Sequence, residues 1–264
     1  MNKIAVISGA SSGLGYELSK LLCRRYGCRV IGLARRKECL AAVRAELGES
    51  FIPFVCDVTK DEDRARLLDF VTENGYTPDV LINNAGILPE FDCFTADGLD
   101  GLERVMELNF HSHVKMCALF LPLLLKSERG AIVNVASSAA LATLPGTAAY
   151  SASKSALLAF TESLSLEYGK NLFVAAVCPG MTATELFDSH ENASLIAKFA
   201  PSAEKTAKKI VRRLKRGRKK IVTGFDAHLM SVGNRLFGRG ALKVFAFFIK
   251  TVKMPMFKNT FYKE

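Results

Sequence analysis

No Cys-x-x-Cys pair occurs in this sequence, although it holds 7 cysteines. A scattered, odd-numbered set argues against a zinc site or a disulfide framework and suits reduced thiols. The 4 histidines, His111, His113, His190 and His228, lack metal-ligand spacing. The two-residue step between His111 and His113 suits a strand pair better than one helical face, so no metal is expected. The stretch after residue 225 lacks an uninterrupted apolar run of about 20 residues too, which excludes a spanning helix there. Nor does a charged segment lead into an apolar core at the start, where NKIAVISGA reads as a buried strand. The expected location is therefore cytoplasmic. Acidic residues are scarce in one region only. Residues 201–264 carry 17 basic and 3 acidic side chains, a net of +14, against 19 and 23 in residues 1–200, a net of −4. The overall +10 belongs to the tail.

What is present is enough for one sizeable core: 264 residues, 49% of them hydrophobic. Short β-branched runs predict strands at Ile4–Ser8, Arg29–Ala34, Ile52–Cys56, Val80–Asn83, Ala131–Ala136, Phe173–Cys178 and Lys220–Thr223. Helical patterns lie between them, at Leu14–Tyr26, Lys37–Leu47, Asp61–Asn74, Leu99–Leu125, Ala148–Tyr168 and Ala203–Arg216. The alternation predicts an α/β fold: a single-domain, Rossmann-type, doubly wound parallel sheet with helices on both faces. Residues 1–225 form that domain in this reading, and 226–264 a basic amphipathic extension.

The first predicted strand runs into SGASSGLG and then a helix. Glycines are needed where a turn reverses tightly against a diphosphate, and the helix N-terminus behind them favours the negative charge. The second strand ends in Leu33-Ala34-Arg35-Arg36, with no acidic residue to hold a ribose 2′-hydroxyl. Ala34 cannot repel a 2′-phosphate, and Arg35 can pair with one, so NADP(H) is expected rather than NAD. Arg36 reads as a solvated arginine opening the next helix. Further on, Tyr150 and Lys154 stand four apart and share one helical face.

These residues resemble the short-chain dehydrogenases/reductases over roughly residues 3–225. The glycine motif of that family matches Ser8 to Gly15, which brings Gly9, Ser11, Ser12, Gly13, Leu14 and Gly15 to the cofactor. Its adenine contact matches Asp57-Val58, and its Asn-Asn-Ala-Gly matches Asn83 with Asn84, Ala85 and Gly86. The loop beside the nicotinamide matches Pro179, Gly180 and Thr182. The active-site asparagine matches Asn109, and the catalytic serine Ser137, thirteen residues before Tyr150, with Ser138 adjacent.

The resemblance implies a ketone–alcohol oxidoreductase. Tyr150 moves the proton, and Lys154 lowers its pKa while holding the nicotinamide ribose. Ser137 donates to the substrate oxygen, and Asn109 holds a water that relays protons to Lys154. A catalytically silent NADP-binding sensor or scaffold is the alternative, although such relatives usually lose the tyrosine or lysine.

The segments that border the pocket in relatives place Leu88, Leu141, Leu144, Met181, Leu186 and Phe187 around the substrate. A lid over residues 181–200 adds Ile196 and Phe199. Their apolar character points to a lipophilic substrate, a steroid or an acyl-chain ketone, handled by a homodimer or homotetramer. In the extension, Arg235, Arg239, Lys243, Lys250 and Lys253 project onto one face of a single helix, with Leu236, Phe237, Leu242, Phe245, Phe248, Ile249 and Val252 over the remainder. Contact with an anionic membrane surface, or packing on the pocket or a subunit interface, would each use that helix. Nucleic acid is not expected, because no recognition motif accompanies the charge.

Overall fold

Seven short runs of β-branched and small apolar residues line up in parallel. In the computed structural model, β1 (Ile4–Ser8), β2 (Arg29–Ala34), β3 (Phe51–Val55), β4 (Val80–Asn83), β5 (Ala131–Val135), β6 (Phe173–Pro179) and β7 (Lys220–Thr223) form one sheet. Their order is β3-β2-β1-β4-β5-β6-β7. The structure describes residues 3–95, 98–187, 200–251 and 260, without the side chains of Phe187, Arg239 and Phe248.

Alternate residues of β1 face opposite sides of the sheet, and both sides are covered. Ala5 and Ile7 pack with Leu18 of α1 (Gly13–Tyr26), Leu40 of α2 (Lys37–Leu47) and Ile210 of α7 (Ala203–Lys215). Ile4 and Val6 pack with Leu67 of α3 (Asp61–Glu73), Phe120 of α5 (Ser112–Leu124) and Leu164 of α6 (Ala148–Tyr168). The strand order reverses between β1 and β4, where a parallel sheet opens a crevice beyond its carboxyl ends. The site is built there.

Three departures from the sequence pattern matter. β3 begins one residue early, because fully buried Phe51 pairs with Val30. The predicted Leu99–Leu125 helix is interrupted: α4 (Leu99–Met106) passes through a π-helical turn, Glu107–His111, before α5. That turn is the kind of local widening found at functional positions, and it buries Asn109. His111 and His113 therefore stand on a helical run, not a strand. Finally, the extension is not one helix. Gly238, at φ 51°, separates α8 (Phe225–Phe237) from α9 (Arg239–Thr251), so the single basic face projected across Arg235 and Lys243 does not form.

Candidate active site

The glycine turn is tied to the sheet from both sides. Gly9 and Gly13 adopt positive φ, 66° and 53°, which few other residues tolerate. A side chain at Gly15 would run into the Gly9 carbonyl. Ser8 Oγ accepts from the backbone N–H groups of Asn84 (2.9 Å) and Ala85 (3.0 Å), and Asn84 Nδ2 donates to the Ser8 carbonyl at 3.0 Å. The turn and the end of β4 thus form one rigid rim, facing a cavity of about 960 Å³.

Most of the predicted cofactor residues line this cavity: Gly9, Ser11, Ser12, Gly13, Leu14, Arg35, Asp57, Val58, Asn84, Ala85, Gly86, Pro179, Gly180 and Thr182. Gly15 lies behind the turn, where it lets α1 approach. Arg35 is exposed at the end of β2. Arg36 is not merely solvated, since its Nη2 lies 3.3 Å from Glu185 across the cavity mouth. Two further residues shape this side. Asp63 accepts from the Asp57 N–H at 2.7 Å, and buried Arg64 donates to the Val58 carbonyl while pairing with Asp61.

Ser137, Tyr150 and Lys154 come together on one wall of the cavity. Ser137 accepts from the Ala139 N–H at 3.2 Å, capping the short turn Ser138–Ala140, and its hydroxyl is near enough to Tyr150 to pull the phenol's pKa down. Ser138 also lines the cavity. Lys154 Nζ donates to the Val135 carbonyl at 3.0 Å and lies 5.9 Å from the Tyr150 ring centre. The expectation that Lys154 lowers the Tyr150 pKa is not met. Burial beside Leu88, Phe91, Ala139 and Ile249 pushes the phenol up, opposed only by the Ser137 hydroxyl. Burial also pushes the Lys154 ammonium down to about 8, against a smaller raising influence from Cys178.

Asn109 is fully buried and does not line the cavity. Its Oδ1 accepts from the Ile87 N–H and its Nδ2 donates to the Ile87 carbonyl, both at 2.9 Å, with Ser153 Oγ at 3.2 Å. The asparagine clamps the chain just beyond Gly86, whose Cα stands close to Asn109 and Lys154 with little room for a side chain. His113 holds the same segment: its Nε2 bonds the Ala85 carbonyl at 2.8 Å, which makes that nitrogen the protonated one. Burial, with Lys154 nearby, pushes its pKa down to about 3, so it is neutral.

Beyond the catalytic wall the cavity turns apolar. Leu88, Leu144, Met181 and Leu186 line it as expected. Leu141 does not: its side chain packs against the buried cluster of Ala136, Leu158, Ala176 and Cys178, and its carbonyl accepts from Asn234 Nδ2 at 2.7 Å. The side chain of Phe187 and lid residues 188–199, Ile196 and Phe199 among them, lie outside the described residues. The remaining wall comes from the extension: Leu229 and Met230 of α8, with Phe245 and Ile249 of α9. Asp226, at the start of α8, accepts from the Met181 N–H at 2.7 Å and fills the space beside Gly180. Its only signal in the sequence is that it is one of three acidic residues in the basic tail. Among the described residues no group of His, Cys, Asp and Glu could hold a metal ion.

The model of the short chain dehydrogenase family matches residues 3–194. The 11-beta-hydroxysteroid dehydrogenase A of Sesamum indicum is 35% identical over 188 residues, 70% of this chain and 53% of its own length. The farnesol dehydrogenase of Aedes aegypti is 35% identical over 195 residues, 70% of this chain and 79% of its own. A solved short chain dehydrogenase from Burkholderia cenocepacia, in complex with NADP, superposes with a TM-score of 0.79 at 29% identity. That superposition covers 93% of this chain and 97% of the solved one. With the strand order, the glycine turn and the Ser137, Tyr150 and Lys154 wall already in place, the chain belongs to the short-chain dehydrogenase family, oxidoreductases that act on alcohol and carbonyl groups.

Proposed function

We propose that this enzyme interconverts a lipophilic ketone and its secondary alcohol, using NADP(H). One observation carries the reading: a single cavity joins a glycine cradle, with Arg35 and no acidic residue at its β2 edge, to an apolar end, and Ser137, Tyr150 and Lys154 stand between the two. The residues fit the cofactor, since the Gly9–Gly15 turn leaves its backbone clear for a diphosphate and Arg35 is free to meet a 2′-phosphate. When bound, the dinucleotide supplies or accepts the hydride at the carbonyl carbon.

In the reductive direction Tyr150 gives its proton to the carbonyl oxygen as the new C–H bond forms. Ser137 donates to that oxygen while charge builds on it. Lys154, on the same wall of the cavity as Tyr150, takes the other task the family resemblance gives it, holding the nicotinamide ribose. Asn109 has spent its side-chain amide on Ile87 and Ser153, so we give it the task of holding the Gly86 segment beside Lys154. The names of two relatives, a hydroxysteroid dehydrogenase and a farnesol dehydrogenase, agree with a lipophilic substrate. Following the family resemblance, the enzyme works as a homodimer or homotetramer, which sedimentation velocity tests.

The test of function is a panel of steroids, acyl-chain ketones and small aldehydes, read by NADPH absorbance. Turnover is expected to favour the lipophilic members. Preference for small polar carbonyls overturns the substrate class, and no turnover on any member overturns the enzyme reading.

A further inference from the structure

Seven of the twelve large hydrophobic side chains exposed by the described chain fall within residues 225–247. On α8 they form one stripe. Phe225, Leu229, Val232 and Leu236 follow helical spacing and are 84%, 50%, 54% and 67% exposed. On α9, exposed Val244 and Phe247 stand with the lysines Lys243 and Lys250. The same helices wall the substrate end of the cavity through Met230, Phe245 and Ile249, and Leu229 reaches both the cavity and the stripe. Exposed apolar area of this concentration marks a surface that something covers.

The charge around it narrows the occupant. Lys205, Lys208, Arg212 and Lys215 of α7, with Arg216 just beyond it, line a basic groove against α1, and Lys215 lies over the Tyr26 ring. Lys209 and Arg213 extend this charge to His228 on α8. Between residues 203 and 251 only Glu204 and Asp226 are acidic. Glu204 is paired with Lys208 and Asp226 is bonded to the Met181 N–H, and these two carboxylates are outnumbered by the fourteen lysines and arginines of the same stretch.

We propose that α7, α8 and α9 form a docking surface for an anionic lipid bilayer. Cations suit the headgroups and the α8–α9 stripe suits the acyl boundary. Nucleic acid would satisfy the cations but leave the stripe in water. A second copy would cover the stripe but set one strongly basic surface against another. The inference deepens and rests on the lipophilic-substrate reading, because the docking helices are also the cavity wall. Among the described residues no helix is long and apolar enough to cross a membrane, so the contact is peripheral.

Full-length protein without substrate is floated with phosphatidylcholine vesicles, with and without phosphatidylglycerol, at low and high salt. Binding is expected only to the anionic vesicles, weakening roughly fivefold for each cation removed and also with added salt. The variant Leu236→Glu/Phe247→Glu should lose most of the remaining affinity while turning over a water-soluble carbonyl at the wild-type rate. The substitutions lie outside the cavity lining, so that rate also certifies the fold. Absence of flotation with anionic vesicles overturns the proposal. So does a double variant that floats like the wild type, or a stripe whose substitution only dissociates a dimer, or binding to duplex DNA alone. Vesicle binding with no turnover on the ketone panel supports docking and removes the substrate reading instead.

Discussion

The two ends of the cavity are made in different ways. The cofactor end is fixed by short-range geometry: positive-φ glycines, Ser8 bonded to two backbone amides, and Asn109 and His113 bonded to the segment after β4. Its specificity rests on a few polar groups in set places. The substrate end is an assembly of apolar side chains from four separate stretches, around residues 88, 144, 181 and 230–249. A pocket of the first kind loses its function abruptly when one group is removed. The second kind degrades in proportion to the area lost.

Tyr150 stands where the ends meet and should show the largest effect. Tyr150→Phe keeps the ring in its apolar surroundings and removes the proton donor. We expect kcat to fall by at least roughly a hundredfold, with NADPH affinity retained. Near wild-type turnover would remove the phenol from the chemistry. At the cofactor end, Arg35→Ala should cost about 1.5–3 kcal/mol toward NADPH, roughly 10- to 150-fold, and little toward NADH. Kinetics with both cofactors measure it, and a wild type that already prefers NADH contradicts the reading of Ala34 and Arg35.

The contrast also explains what the sequence disclosed. The sheet is legible because its strands are buried, β-branched runs with turn signals between them, and their pattern depends on local chain alone. The same holds for the cofactor end, where order and spacing of Gly9, Gly13, Gly15, Asn84 and Arg35 carry the geometry. The substrate end depends on long-range placement. That Phe245 and Ile249 have an apolar face is readable; that the face closes on Tyr150 is not. Leu141 shows the same difficulty within one short turn, since a single residue step decides whether it faces the cavity or Leu158. Asp226 matters only because α8 brings it to Met181, forty-five positions away. The π turn at Asn109 leaves the hydrophobic period of the surrounding helices almost unchanged, so periodicity alone predicts one continuous helix.

His113 sharpens the comparison through pH. Its pKa in the fold is about 3 against a reference of 6.5. Between those values the unfolded chain takes up a proton that the folded chain refuses. Stability therefore falls on acidification from pH 6.5 toward 3, with a slope approaching about 1.4 kcal/mol per pH unit from this group, and is independent of it above that window. His113→Gln should flatten the slope. Urea unfolding at pH 7 and 5 measures the difference, and an unchanged slope would show that the ring is not the refused site.

The smallest effect belongs to the substrate end. Ile249 is buried against Leu88, Phe91 and Tyr150 and reaches the cavity from the last described helix. Ile249→Ala removes part of one apolar wall, touches no hydrogen bond in the site and lies away from the glycine cradle. We expect KM for a lipophilic ketone to rise roughly tenfold, the scale of a few lost methylene contacts, with KM for NADPH unchanged. Because Ile249 also helps to bury Tyr150, the phenol should gain solvent and its pKa should come down. In the oxidative direction, where the phenolate takes the proton, the pH profile should move toward lower pH. A variant that raises both KM values together would mean that α9 supports the whole cavity, and the two ends would then be one mechanical unit. An unchanged KM for the ketone would place the substrate elsewhere in the cavity, away from α9.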